Sequence, residues 1–185
     1  MKNRRIGLPF LSTLSALMYV PALVMAEPAI TAHAEISGCS DPAITGRAEL
    51  KEHRSEEGVK QVDVMLVVNG LSDGKHAVHI HETAKCEPCG AAGGHFDPGP
   101  YGMSNPDGNH PFHSGDLINL ASKNGKATLK TTTTRITLSP GPLSIFDTDG
   151  SAFIIHTNED TYCPEGVAKG CAGGSRDACG IILLK

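Results

Sequence analysis

Six of the chain's nine histidines fall within the 41 residues from His76 to Asp116. Two of them, His79 and His81, are separated only by Ile80. On a β-strand, residues i and i+2 leave the same face. Both imidazoles would therefore stand on one side, while Val78 and Ile80 turn to the other. Imidazole is the commonest metal ligand, and a rigid pair on a strand is half of a metal site; a solvated loop with histidine as filler needs no such spacing. The other metal-capable side chains are His76, His95, His110, His113, Asp116, His156 and Asp160. Four or more histidines drawn from separate segments suit zinc or copper, and a carboxylate added to histidines suits zinc.

The elements that must position these residues read as strands. AITGRAELK (43–51) and VKQVDVMLVV (59–68) carry strand patterns joined by a charged turn, as in a hairpin. After the turn residues Asn69-Gly70 and Ser72-Asp73-Gly74, His76 to His81 is expected as a strand. The Thr-rich stretch 125–138, then 151–156 and 178–184, complete the strand set. Two stretches, 82–116 and 158–176, lack periodicity and are rich in Gly, Pro and Cys; loops that long in a compact domain are functional or disordered. No segment sustains a 3.6-residue period. The expected fold is all-β, an immunoglobulin-like Greek-key antiparallel barrel or sandwich with two long functional loops.

The N-terminus reads as targeting. MKNRR is a basic start, Leu8 to Leu23 is mostly apolar, and Val24-Met25-Ala26 offers a small-residue cleavage site. Residues 1–26 are expected to be a cleavable signal peptide and 27–185 a single domain, with no stable membrane anchor after cleavage. Cleavage removes Lys2, Arg4 and Arg5 and no acid, taking the net charge from −4 to −7. So acidic a domain is a poor nucleic-acid binder, and an anionic substrate would need a local basic feature. Six cysteines, all beyond the leader, point to disulfides in an exported chain, although Cys86-Glu-Pro-Cys89 also fits a redox or zinc motif. Six cysteines allow fifteen connectivities, and spacing alone does not choose among them.

From about Gly38 to Lys185 the chain resembles the copper/zinc superoxide dismutase family, exported bacterial type. The motifs are H79-I-H81-E, G93-G94-H95-F-D-P, H113-S-G-D116-L, I155-H156 and G174-S-R176-D-A-C179-G, in the family's order. The resemblance implies one copper and one zinc per subunit. Copper would be held by His79, His81, His95 and His156, with His95 bridging to zinc. The family's usual further zinc histidine would fall on Met103 or Ser104, so this chain departs there. His110, in H110-P-F-H113-S-G-D116, resembles an arrangement found in extracellular animal members. Zinc would then be held by His95, His110, His113 and Asp116; a copper-only member with an idle His110 is the rival. Asp160 matches the aspartate that links the two ligand shells, ahead of Asn158 and Glu159. Arg176 matches the active-site arginine, supplying the local basic feature because clefts focus field.

The resemblance also implies that Cys179 bonds a cysteine of the long metal loop. The bacterial pattern selects Cys86 and the animal pattern Cys89, and HIHETAKCEP is closer to the bacterial form. Cys163 and Cys171 flank one loop and are expected to bridge locally, leaving Cys39 and Cys89 as a pair outside the family pattern. The implied reaction is dismutation of superoxide to dioxygen and hydrogen peroxide by alternate reduction and reoxidation of copper, with His95 taking and returning a proton and Arg176 guiding the anion. The expected setting is the cell envelope, periplasmic or else secreted, as a monomer or homodimer. A copper-binding or copper-delivery protein on the same fold is the alternative from another functional class.

Overall fold

The computed structural model describes residues 29–99, 110–164 and 169–185; the expected leader, residues 1–26, lies outside them, as do Met103 and Ser104. Ten strands are present: β1 Thr31–Gly38, β2 Thr45–Arg54, β3 Lys60–Asn69, β4 Gly74–His76, β5 Val78–His81, β6 Leu120–Lys123, β7 Lys126–Thr133, β8 Ala152–His156, β9 Arg176–Ile181 and β10 Leu183–Leu184. Among the described residues the only helix is one 3-10 turn, Cys89–Ala92. All strand pairings are antiparallel, in the order β4-β6-β7-β3-β2-β1-β9-β8-β5. The first and last strands of that path, β4 and β5, are joined by a single residue, Ala77. A sheet whose two edges are that close along the chain must curl back on itself, which makes it barrel-shaped.

Alternation fills the barrel. Val62, Val64, Leu66 and Val68 of β3 are buried while Asp63, Met65 and Val67 face out, and β2 and β7 repeat the pattern with Ala48, Leu50, Ala127 and Leu129. Ile136, Leu138 and Ile145, from the connection after β7, join the same core. That connection is tied to β2 by the buried carboxylate of Glu52, which accepts hydrogen bonds from the Leu138 and Ser139 N–H groups and the Ser139 hydroxyl at 2.6–2.8 Å. β5 and β8 are buried on both faces. Val78, Ile80, Phe153 and Ile155 enter the barrel core, whereas Ala152 and Ile154 pack outside it against Ala92, Cys179 and the loop cysteines. The long loop thus covers the outer face of β5, β8 and β9, and the histidines lie in that covered layer.

Three details differ from the sequence reading. β1 was not expected; its inward residues Ala32, Ala34 and Ile36 are mostly too small to give a hydrophobic signal. β6 is four residues long and lies between the irregular stretch 82–116 and the Thr-rich strand region, where no element is expected. The strand expected over His76–His81 breaks at Ala77, because β4 pairs with β6 and β5 with β8 at opposite edges.

Candidate metal centre

His79 and His81 leave β5 on its outer side, opposite Val78 and Ile80. His156 ends β8, the neighbouring strand, where Val78 pairs with Ile155 and His79 with Ile154. Arg176 opens β9 opposite His156, at an irregularity in the β8–β9 register. His95 comes in from the long loop, which adds to β5 through Glu82 N–H to Gly94 C=O (3.0 Å), Phe96 N–H to Ile80 C=O (2.8 Å) and an isolated bridge between His81 and His95. The turn from His110 to Asp116 docks on the same strand through Ile80 N–H to Gly115 C=O at 2.9 Å. Residue 115 must be glycine there, since a Cβ would sit 2.2 Å from the Ile80 carbonyl oxygen. His76 does not join the cluster. Its Nδ1 lies 2.8 Å from the His156 carbonyl oxygen and its Nε2 3.1 Å from that of Ser72, so it braces the backbone behind His156.

Four imidazoles, His79, His81, His95 and His156, bring one nitrogen each within 4.8 Å of all the others, and all four residues are buried. The partners of their other nitrogens fix the tautomers. His79 Nε2 faces Asp160 Oδ2 (3.1 Å), His81 Nδ1 the Gly93 carbonyl (3.0 Å) and His156 Nδ1 the Gly174 carbonyl (3.0 Å). These acceptors require an N–H on the named atom, which leaves His79 Nδ1, His81 Nε2 and His156 Nε2 as bare lone pairs in the neutral rings. His79 Nδ1 and His156 Nε2 then face each other at 3.2 Å, and His81 Nε2 is buried without a hydrogen-bond partner among the described residues. Converging lone pairs repel one another, and a cation removes the conflict. Burial, above all, pushes His79 down to about 3 and His156 to about 4, and holds His81 well below the usual histidine range. The rings are neutral at physiological pH, as metal ligation requires. This donor set fits copper.

A second group forms around the Asp116 carboxylate. His95 Nδ1 lies 2.7 Å from Oδ1, and His110 Nδ1 (3.2 Å) and His113 Nδ1 (3.1 Å) approach Oδ2. Three imidazole nitrogens and one carboxylate fit zinc. The donors mutually within 4.8 Å are His79, His95, His110 and Asp116. His113 falls outside that set though it touches Asp116, and His79 belongs with the copper-side rings because its free nitrogen faces His156. His110 Nδ1 approaches Asp116 without hydrogen-bond geometry, while its Nε2 is 2.8 Å from Asp160 Oδ1. Burial alone would depress His110, but the negative charge of the adjacent Asp116 and the ring's hydrogen bond to Asp160 outweigh it and raise its pKa to about 9. Burial likewise disfavours charge on the two carboxylates, yet the surrounding histidines, His95 and His113 at Asp116 and His110 and His79 at Asp160, hold both well below the usual range. Positive charge is called for between these groups, and a zinc ion can supply it in place of the His110 proton. Asp160 reaches His79 with one oxygen and His110 with the other, linking the two halves.

A cleft of about 380 Å³ opens over the copper-side rings, lined by His81, His95, His156, Lys169, Ser175 and Arg176 among others. The Arg176 guanidinium donates to the carbonyls of Cys89 (2.8 Å) and Gly93 (2.5 Å). Those bonds aim a fixed cation at the cleft in an otherwise acidic protein. Disulfides join Cys86 to Cys179, Cys39 to Cys89 and Cys163 to Cys171. The first two tie the long loop to β9 and to the residue after β1, and the second fastens Cys89 itself, whose carbonyl Arg176 uses. Three contributors escaped the sequence reading. The Gly93 carbonyl serves both His81 and Arg176, Glu82 packs where a Gly93 Cβ would lie (2.4 Å), and Asn119 bonds the Asp160 backbone in both directions. A carbonyl leaves no sequence signature, and Glu82 stood inside the H-x-H-E motif without a role.

The model of the copper/zinc superoxide dismutase (SODC) family matches residues 44–182. A superoxide dismutase [Cu-Zn] of Deinococcus radiodurans is 36% identical over 134 residues, covering 64% of this chain and 69% of that protein. One from Aquifex aeolicus is 32% identical over 156 residues, covering 81% and 86%. The crystal structure of a SOD-like protein from Bacillus subtilis superposes with a TM-score of 0.65 at 31% identity, covering 82% of this chain and 97% of that one. With its fold, its donor sets and these relatives in agreement, the chain belongs to the copper/zinc superoxide dismutase family.

Proposed function

We propose that the chain dismutates superoxide, using copper held by His79, His81, His95 and His156 and zinc held by His95, His110, His113 and Asp116. The observation that carries this reading is the set of four buried, converging imidazoles whose outer nitrogens are all engaged, opening on a cleft with Arg176 at its wall. Two superoxide ions and two protons give one dioxygen and one hydrogen peroxide. When bound, copper supplies the one-electron exchange with superoxide, and zinc supplies a fixed positive charge beside His95. Arg176 draws the anion into the cleft and orients it over the rings. Because Asp116 engages His95 at Nδ1, Nε2 is the atom at which His95 takes up and returns a proton. The hydrogen bonds on His79, His81 and His156 hold those rings still, so the cleft keeps its shape through both halves of the reaction.

The test combines metal content with a superoxide assay on the copper- and zinc-loaded protein. Arg176→Ala is expected to lower the rate substantially while copper stays bound, and the wild-type rate is expected to fall as ionic strength rises. Wild-type activity in Arg176→Ala at low salt refutes the role of the arginine. Absence of activity in the copper-loaded wild type leaves the alternative, a copper-binding or copper-delivery protein. The Bacillus subtilis structure described only as SOD-like keeps that reading in view. Arg176 in the cleft weighs against it, since copper storage needs no anion guide.

The setting follows from the cysteines and the leader. All six cysteines are paired, as suits an oxidising compartment. With residues 1–26 read as a leader, the working site of residues 27–185 is the cell envelope, periplasmic or secreted, where the protein removes superoxide as a monomer or homodimer. Fractionation of cells, with N-terminal sequencing of the envelope form, tests the cleavage after Ala26.

A further inference from the structure

The turn carrying His110 is fastened by a residue that holds no metal. Beyond Gly115 the backbone is stitched to β5, but His110–Phe112 has few ties. Pro111 has no N–H to give, and Phe112 projects into solvent at 74% exposure. Among the described residues, one hydrogen bond reaches the backbone of 110–112, from Arg135 Nη1 to the Pro111 carbonyl at 3.2 Å. The other terminal nitrogen of the same guanidinium, Nη2, donates to the Asp116 carbonyl. Arg135 follows β7, so its main chain is anchored by the barrel, and its N–H is further capped by the Thr133 hydroxyl at 3.1 Å. A guanidinium is a planar fork of fixed dimensions that stays charged at every accessible pH. Bonded to the carbonyls of residues 111 and 116, it spans the turn on which His110, His113 and Asp116 are carried.

We propose that Arg135 is a positioning residue for zinc, a brace that sets the separation between the His110 and Asp116 donors; this rests on the zinc site proposed above. Asp160 orients the His110 ring from within, and Arg135 holds its backbone from outside. The copper-side rings need no such brace. His79, His81 and His156 stand on β5 and β8, whose ladder already fixes them.

The experiment uses the full disulfide-bonded protein loaded with copper and zinc. Zinc transfer to a colorimetric chelator is followed in wild type, Arg135→Met and Arg135→Lys, with copper content measured alongside. Arg135→Met keeps the length of the side chain and removes its donors. Zinc loss is expected to quicken by roughly 10–100-fold, the range that follows loss of a group supporting a ligand, with copper retained. Arg135→Lys, a single point donor, is expected to fall between the two. Cobalt substituted at the zinc site gives a second readout: its visible bands are expected to weaken or shift in Arg135→Met and to recover partly in Arg135→Lys. Equal zinc release in Arg135→Met and wild type overturns the brace, as does parallel loss of copper, which would mark general loosening. A wild-type protein that takes up no zinc overturns the zinc site itself, and the brace with it.

Discussion

Asp160 offers the sharpest test of how the two metal halves are coupled. Its Oδ1 is 2.8 Å from His110 Nε2 and its Oδ2 is 3.1 Å from His79 Nε2. Asp160→Ala removes both acceptors at once, yet the consequences should be unequal. His79 lies on β5, paired across to Ile154, and its ring stacks on His95 with centroids 4.0 Å apart, so its position survives. His110 lies on a turn with little backbone support and loses the acceptor that aims its Nδ1 at Asp116. A hydrogen bond to a charged group is worth about 1.5–3 kcal/mol, and about 1.4 kcal/mol is a factor of ten in affinity. Zinc binding should therefore weaken by roughly 10–100-fold, in line with measured losses on removing supporting groups. Copper, which in the proposed site keeps all four imidazoles and loses only one outer bond, should weaken by less than zinc does. Competition titrations with chelators of known affinity, run separately for each metal on disulfide-intact protein, measure both. Copper affinity falling as far as zinc affinity would refute the claim that strand placement protects His79.

Three further outcomes are expected. Zinc must displace the His110 proton, held to about pH 9, so apparent zinc affinity should rise about tenfold per pH unit from 6 to 8; copper affinity should stay nearly flat there, because His79 and His156 are neutral above about pH 5. Equal pH slopes for the two metals in competition titrations would contradict this. Replacing Cys39 and Cys89 by serine, with 50 residues of separation, should cost about 4 kcal/mol on chain-entropy grounds, and replacing Cys163 and Cys171, eight apart, about 2.5 kcal/mol; urea unfolding gives the order, which the reasoning fixes more firmly than the values. Gly115→Ala should push the zinc turn off β5, since its Cβ would meet the Ile80 carbonyl, and metal analysis should then find zinc depleted.

The barrel was legible wherever large residues alternate, as in β3, where valine and leucine repeat at every second position. It was not legible in β1, whose inward alanines carry too little apolar area to stand out, nor in β6, which is recognisable only by its partners β4 and β7. At the metal centre, side-chain donors were readable because histidine spacing survives in one dimension: His79 and His81 share a face by period alone. The carbonyls that aim them were not readable. Gly93 and Gly174 act through their backbone oxygens, and a backbone oxygen belongs equally to every residue type. Arg135 escaped for another reason. It stands at the end of a Thr-rich strand, fifteen or more residues from any metal-capable side chain, and only closure of the sheet brings it to Pro111 and Asp116.

The outward placement of the donors separates what may drift from what must stay. Val78, Ile80, Phe153 and Ile155 hold up the barrel from within, while His79, His81 and His156 occupy the opposite faces of the same two strands. Exchanging an outward histidine for another side chain opens no hole in the barrel's interior. Strands of this design carry two independent records, one of folding on the inward face and one of chemistry on the outward face. A lineage can rewrite the second without erasing the first, so descendants that have given up a metal would still be recognised by shape.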